Sequence, residues 1–240
     1  AQPLFHERVM SRYRFDMAAV LDCLTKRLDL FAKSGEPIDL LGEMVRFTVG
    51  TLYRTLFGIT LPSDHDRGEL LTRFFNAIGE VTLTVVAPGA KIPTEALKRL
   101  RESLSEIDCE VKDILDTHAN TETADDDLIS TLQASLSEDE LRDELVTFFV
   151  AGGETTANLL SWLLLLLASH PNERARVQAE LDALSFEIAE PSLLKTAPPL
   201  NAAVRETMRL YPPVWLISRQ ATKDTQLRDR AVSARDWVLV

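Results

Sequence analysis

The chain has 240 residues, 45% of them hydrophobic and 26% charged, which is enough apolar mass to bury a sizeable core in one domain. A formal charge of -11, with no block of Lys and Arg, argues against general binding to nucleic acid or to an anionic membrane surface. The two cysteines, Cys23 and Cys109, lack close spacing and fit a reducing, cytoplasmic compartment.

In chain order, apolar periodicity predicts helices near 8–33, 39–57, 66–86, 95–119, 127–135, 138–169, 172–184 and 199–211, in one mainly α domain over 1–240 without internal repeats. The segment 74–92, from within the third helix onward, is more apolar than one helical face requires. Phe74, Phe75, Val81, Leu83, Val85 and Val86 crowd together before Ala87-Pro88-Gly89 breaks the run. After Thr94, the residues Leu97, Leu100, Leu104, Ile107, Val111, Ile114 and His118 trace one stripe, which is core by default. Residues 120–127, rich in Thr and Asp, read as a solvated loop.

The helix over 138–169 has the clearest ends: Ser137 caps it with Glu140 three positions on, and Pro171 stops it after His170. At 1.5 Å per residue it is a rod of roughly 48 Å. Its middle reads Ala151-Gly152-Gly153-Glu154-Thr155-Thr156. Each glycine costs roughly 1 kcal/mol against Ala in a helix interior, and Thr155 can turn its hydroxyl back to the carbonyl of Ala151. The pattern predicts a kink or widened groove with room for a flat ligand, and Glu154 and Thr155 at its edge where they can relay protons. Small residues that simply let a neighbouring helix approach account for the same letters equally well. The apolar run 159–168 is too short to span a membrane, and Glu154 interrupts its extension.

In the last helix Leu200, Val204, Thr207 and Tyr211 share a face, and Pro212-Pro213 ends it. Glu206 and Arg209 lie one turn apart. The same spacing recurs at Glu43/Arg46 and Glu173/Arg176 and is usually a solvated pair, so only the setting marks the third copy. Residues 214–221 then alternate as a strand with Trp215, Ile217 and Arg219 on one face, and Trp237-Val238-Leu239-Val240 reads as another.

In order and spacing, Ala-Gly-Gly-Glu-Thr-Thr in a helix, then Glu206-Thr207-Met208-Arg209, then Tyr211-Pro212-Pro213, then an arginine on the following strand resembles the cytochrome P450 family. Gln2-Pro3-Leu4-Phe5-His6, Arg54-Thr55-Leu56-Phe57-Gly58 and Leu141-Arg142-Asp143-Glu144 extend the likeness through most of the chain. The resemblance implies a P450-like helical fold with a small β region near its C-terminal end. It also implies a heme-thiolate monooxygenase that inserts one oxygen atom from dioxygen into a small apolar organic substrate. Its electrons would come ultimately from NAD(P)H through a ferredoxin- or flavoprotein-type donor. By that resemblance Thr155 and Glu154 deliver protons during O–O cleavage, Ala151 and Gly152 lie with Thr155 against the distal face of the heme, and Arg219 binds a heme propionate. Glu206 and Arg209 form a structural ion pair needed for heme incorporation. The 74–92 segment resembles the family's lid, giving Phe74, Phe75, Val85, Val214 and Ile217 as substrate-pocket candidates, although a plain buried helix hairpin fits it too.

The chain also departs from the family. The Gly-flanked cysteine loop that supplies the iron's thiolate does not occur in the sequence. Cys23 and Cys109 sit in helical surroundings, and His6, His65, His118 and His170 lack the pairwise spacing of a metal site, so no metal ligand is assigned. Ala1 opens in mid-motif and Val240 closes in an apolar run, which leads us to expect a piece incomplete at both ends, inactive alone and compatible with a membrane anchor ahead of Ala1. Residues 225–235 lack the family's usual turn glycines, leaving the strand pairing after Arg219 open. A non-catalytic helical binding domain and a degenerate relative that folds without heme are the alternative readings.

Overall fold

The computed structural model describes residues 7–86, 93–120, 127–184 and 197–239, with side chains from Tyr13 onward and none over 83–86. The Gln2–His6 motif, the Ala87-Pro88-Gly89 break, most of the 120–127 loop, the side chain of Val85, and Val240 lie outside the described residues.

Eight described helices follow the predicted order: α1 Glu7–Ser34, α2 Leu40–Leu56, α3 Gly68–Val86, α4 Thr94–Ala119, α5 Leu128–Gln133, α6 Glu138–Ser169, α7 Pro171–Ala183 and α8 Pro198–Leu210. Their ends are set by local chemistry. Asp39 accepts the Gly42 amide at the start of α2, and Ser137 and Glu140 form a reciprocal capping box on α6. Gly58, at φ 68°, turns the chain out of α2 so that Phe57 is fully buried, edge-on to Tyr53 with ring centroids 5.4 Å apart.

α6 is the hub. It packs against α2 more extensively than any other pair of helices does, and also touches α3, α4, α5, α7 and α8. Leu141, Leu145, Phe149, Gly153 and Ala157 recur every fourth residue along its buried side. Within the core, Tyr53 of α2 and Arg67, just ahead of α3, both donate to the carboxylate of Glu110 on α4. Arg27 of α1 forks onto Glu43 of α2 at 2.7 and 2.6 Å, and its hydrogen bonds hold that carboxyl below the usual range.

Three expectations need correction. The α4 stripe turns inward at Ser103 instead of Leu104, which stays 43% exposed, because Ser103 lies four residues before Ile107 on the buried face. The strand expected over 214–221 forms only at Ser218–Gln220 (β1), since Val214 and Trp215 have no strand beside them and are 60% and 63% exposed. α6 as a whole, by length and composition alone, is apolar enough to cross a membrane, although the 159–168 run taken by itself is short.

The open question of strand pairing is resolved. β1 pairs antiparallel with Trp237–Leu239 (β4), setting Arg219 opposite Val238, while Thr225–Leu227 (β2) and Arg230–Val232 (β3) form a hairpin. Arg228 and Arg235 take left-handed φ values of 55° and 74° at the turns where glycine would be unstrained. Pairing survives without those glycines at a cost of about 1–2 kcal/mol per residue.

Arg235→Gly is therefore expected to raise stability by about 1 kcal/mol in a denaturation series, whereas Arg230→Gly, inside β3, lowers it. Gly153 gives the opposite case. A Cβ there would lie 2.3 Å from Leu71 Cδ1 and 3.3 Å from Val49 Cγ2, and Leu71 is fully buried. Gly153→Ala is expected to destabilise by about 1–3 kcal/mol, while Gly79→Ala, in open space on α3, stabilises by about 0.5–1 kcal/mol. Equal shifts at the two glycines would contradict this packing.

Candidate functional site

The middle of α6 has two sides with different tasks. Gly153 is buried against α2 and α3, and Gly152 faces Leu52, whose Cδ1 a Cβ would meet at 3.0 Å. α6 is helical without a break from Glu138 to Ser169. The groove expected beside the glycine pair is therefore filled, by Leu52, Leu71 and Val49, and close helix approach explains the two glycines. Roughly 100° to 200° around the helix from Gly153 come Glu154, Asn158, Ala151 and Thr155. Ala151 is exposed, and Glu154 and Thr155 are half-buried.

On that second side the expected alcohol contact is present: Thr155 donates its hydroxyl to the Ala151 carbonyl at 2.7 Å. Burial pushes the Glu154 carboxyl up to about 7, opposed by a long 3.5 Å hydrogen bond from the Asn158 amide to Oε1. Its other oxygen, Oε2, is buried and has no hydrogen-bond partner among the described residues. Asn158 is the neighbour that sequence reasoning passed over. The signal for it is its place one turn after the acid, where an amide can reach a carboxylate.

Glu206 and Arg209 on α8 form a two-pronged pair, at 2.7 and 2.6 Å, that draws the Glu206 carboxyl below its usual range. Of the three copies of this spacing it is the one with two short contacts; Glu173/Arg176 has one at 2.9 Å and Glu43/Arg46 comes no closer than 3.8 Å. Both partners are solvent-exposed, so the pair by itself contributes little to stability. α8 is held in other ways: Thr207 is buried, Glu180 of α7 accepts the Leu200 amide at 3.2 Å, and Tyr211 stacks on Trp162 of α6 at 3.9 Å.

The remaining candidates do not converge. Phe74 is a core residue with Phe75 edge-on against it at 5.3 Å, and α3 packs along α4 as a hairpin would. Val214 and Ile217 lie in the exposed segment before β1. Arg219 is exposed; its guanidinium donates to the Ser218 carbonyl at 2.8 Å and has no carboxylate partner among the described residues.

A planar heme fits one part of this chain. Ala151 presents a minimal side chain on the free face of α6, flanked by an acid and an alcohol, and the Arg219 fork is available to a carboxylate. Cys23 lines a small cavity between α1 and α2, and Cys109 is exposed on α4 beside Arg67 and Arg73.

The central rod of this mainly helical domain is pinned on one side and carries an acid and an alcohol on the other. The chain belongs to the cytochrome P450 family, whose model matches residues 3–240. It is 28% identical over 239 residues to pentalenene oxygenase of Streptomyces avermitilis, covering 94% of this chain and 51% of that one. It is 29% identical over 254 residues to cyclooctat-9-en-7-ol 5-monooxygenase of Streptomyces melanosporofaciens, covering 99% and 53%. A cytokinin hydroxylase of Arabidopsis thaliana is 28% identical, with 95% and 48% covered. The fold matches the crystal structure of a cytochrome P450, CYP102L1, with a TM-score of 0.78 at 24% identity, over 99% of this chain and 55% of that one. The chain thus spans about half the length of the curated relatives it matches. Family membership implies heme binding.

Because the folded Glu154 holds its proton more tightly than an unfolded glutamate, its ionisation costs stability as pH rises from about 4.5 toward about 7. Glu154→Gln cannot ionise. The stability of this variant relative to the unsubstituted chain is expected to improve between pH 5 and pH 8 by on the order of 1 kcal/mol, discounted for the half-exposure of the carboxyl. Parallel pH profiles would refute it.

Proposed function

We propose that the protein is a heme-thiolate monooxygenase that inserts one oxygen atom from dioxygen into a small apolar organic substrate. Its two electrons come ultimately from NAD(P)H through a ferredoxin- or flavoprotein-type donor. One observation carries the reading: a half-buried glutamic acid with a partnerless oxygen stands beside a threonine hydroxyl on the free face of α6. When bound, the heme would supply the chemistry of binding and reductively cleaving dioxygen, with a cysteine thiolate among its iron's donors. That thiolate is neither Cys23 nor Cys109.

The roles of the chain's own groups arise from their settings. Glu154, near half-protonated at neutral pH, holds a proton that it can give up or take back at little cost, as a proton relay requires. Thr155 carries that proton to the free face of α6. Ala151 keeps that surface low enough for a flat ring to approach, while Gly152 faces Leu52 on the packed side. Arg219 orients a propionate by a two-pronged contact, and the Glu206/Arg209 pair, on an α8 held by other contacts, serves heme incorporation. Val214 and Ile217, exposed ahead of β1, contribute apolar surface for the substrate, whereas Phe74 with Phe75 against it belongs to the core. The names of the relatives, which include oxygenases of pentalenene and of cyclooctat-9-en-7-ol, support an apolar organic substrate. The acidic charge and two unpaired cysteines support a cytoplasmic location.

Thr155→Ala in the heme-loaded protein is expected to divert consumed electrons from product to hydrogen peroxide, lowering the coupled fraction about 10-fold, below the roughly 10²- to 10⁴-fold usual for one proton-transfer group because water can stand in for the hydroxyl. Unchanged coupling would remove Thr155 from proton delivery. The heme-thiolate assignment is tested separately by the reduced, carbon-monoxide-treated spectrum, in which a thiolate-bound heme gives a shifted Soret band and a heme-free relative gives none.

A further inference from the structure

Thr48 lies in the middle of α2 and is buried at 5% exposure. Its hydroxyl donates to the carbonyl of Gly153 at 2.7 Å, with the Val45 carbonyl of its own helix a secondary acceptor at 3.1 Å. The contact joins residues 105 apart in sequence, and it falls on the residue directly before Glu154 and Thr155. Gly153 is held from its other side as well, since Leu71 and Val49 fill the space where a Cβ would stand.

We propose that Thr48 is a positioning residue: its hydroxyl locks the back of α6 to α2 at Gly153 and so fixes where Glu154 and Thr155 stand on the opposite face. The inference rests on the proton-relay reading of those two residues. A hydroxyl oxygen can approach a carbonyl oxygen to 2.7 Å because a proton lies between them. A methyl carbon in the same place needs roughly 3.3 Å or more, so an isosteric valine both removes the hydrogen bond and drives the two helices apart. The helix cannot yield by rotating toward Leu71, which already meets it. It moves outward, carrying Glu154 toward solvent.

The test tracks the ionisation of the Glu154 carboxyl by infrared difference spectroscopy against Glu154→Gln, in the heme-loaded protein and in its Thr48→Val and Thr48→Ser variants. Amide hydrogen exchange is measured over residues 153–157 in the same samples. Thr48→Val is expected to lower the ionisation midpoint by about one pH unit, a roughly tenfold loss of proton affinity, and to speed exchange about tenfold, while Thr48→Ser keeps both near the unsubstituted values. Unchanged midpoint and exchange in Thr48→Val would overturn the proposal, as would a shift that serine does not restore. If Thr48→Val fails to fold, Thr48→Cys, with similar volume and a feeble donor, is read by the same criteria. Neither measurement needs substrate or turnover, so failure of the relay reading, seen as unchanged coupling in Thr155→Ala, is distinguishable from failure of the lock.

Discussion

Residue 153 has no side chain, and that absence determines how near α6 comes to α2 and α3. Leu71 and Val49 occupy the vacated volume, and the Thr48 hydroxyl donates to the Gly153 carbonyl. The rest of the central helix is arranged by this contact. The core residues at Leu145, Phe149 and Ala157 fall into register on the same side, and the side bearing Ala151, Glu154 and Thr155 is turned away from the core. A glycine that costs about 1 kcal/mol in helix propensity is retained because the alternative is a clash inside a close-packed interior.

The carboxylates of this fold meet different fates for reasons of partnership. Glu43 is buried but forked by Arg27, and Glu110 is buried but bridged by Tyr53 and Arg67, so each has donors to replace lost water. Asp127 pairs with His118 at 2.7 Å and caps α5 with its other oxygen. Glu154 has only a distant amide. Desolvation without a cation raises its proton affinity, which is the pattern expected of a group kept for chemistry and not for cohesion.

Most of the helical frame was legible in the sequence because its signals are local. The Ser137/Glu140 capping box, the Pro171 stop and the turn of Thr155 back to Ala151 depend on residues within one helical turn. The glycine pair was legible as a marked position but not in its physical role, since nothing near it in sequence says that Leu52 and Leu71 arrive from other helices. Thr48 was illegible for the same reason. Leu104 and residues 214–217, ahead of β1, show the reverse failure: their local pattern is right for burial and for extension, but no partner element among the described residues is placed to satisfy it.

Thr155 has one proton to donate, and in this arrangement it is committed to Ala151. Toward the free face the hydroxyl therefore offers lone pairs only. In the proposed relay it rotates away from the carbonyl, giving up a bond worth about 1 kcal/mol net, which is small against the barrier of a chemical step, and passes its own proton on as it takes one from the acid. The acid that resupplies it must be protonated for part of the time at neutral pH and must release its proton readily. A glutamate salt-bridged like Glu43 would fail the first condition, and a fully buried, unpartnered one would fail the second. Glu154, half-buried and raised to about 7, meets both, provided that the back of its helix does not move.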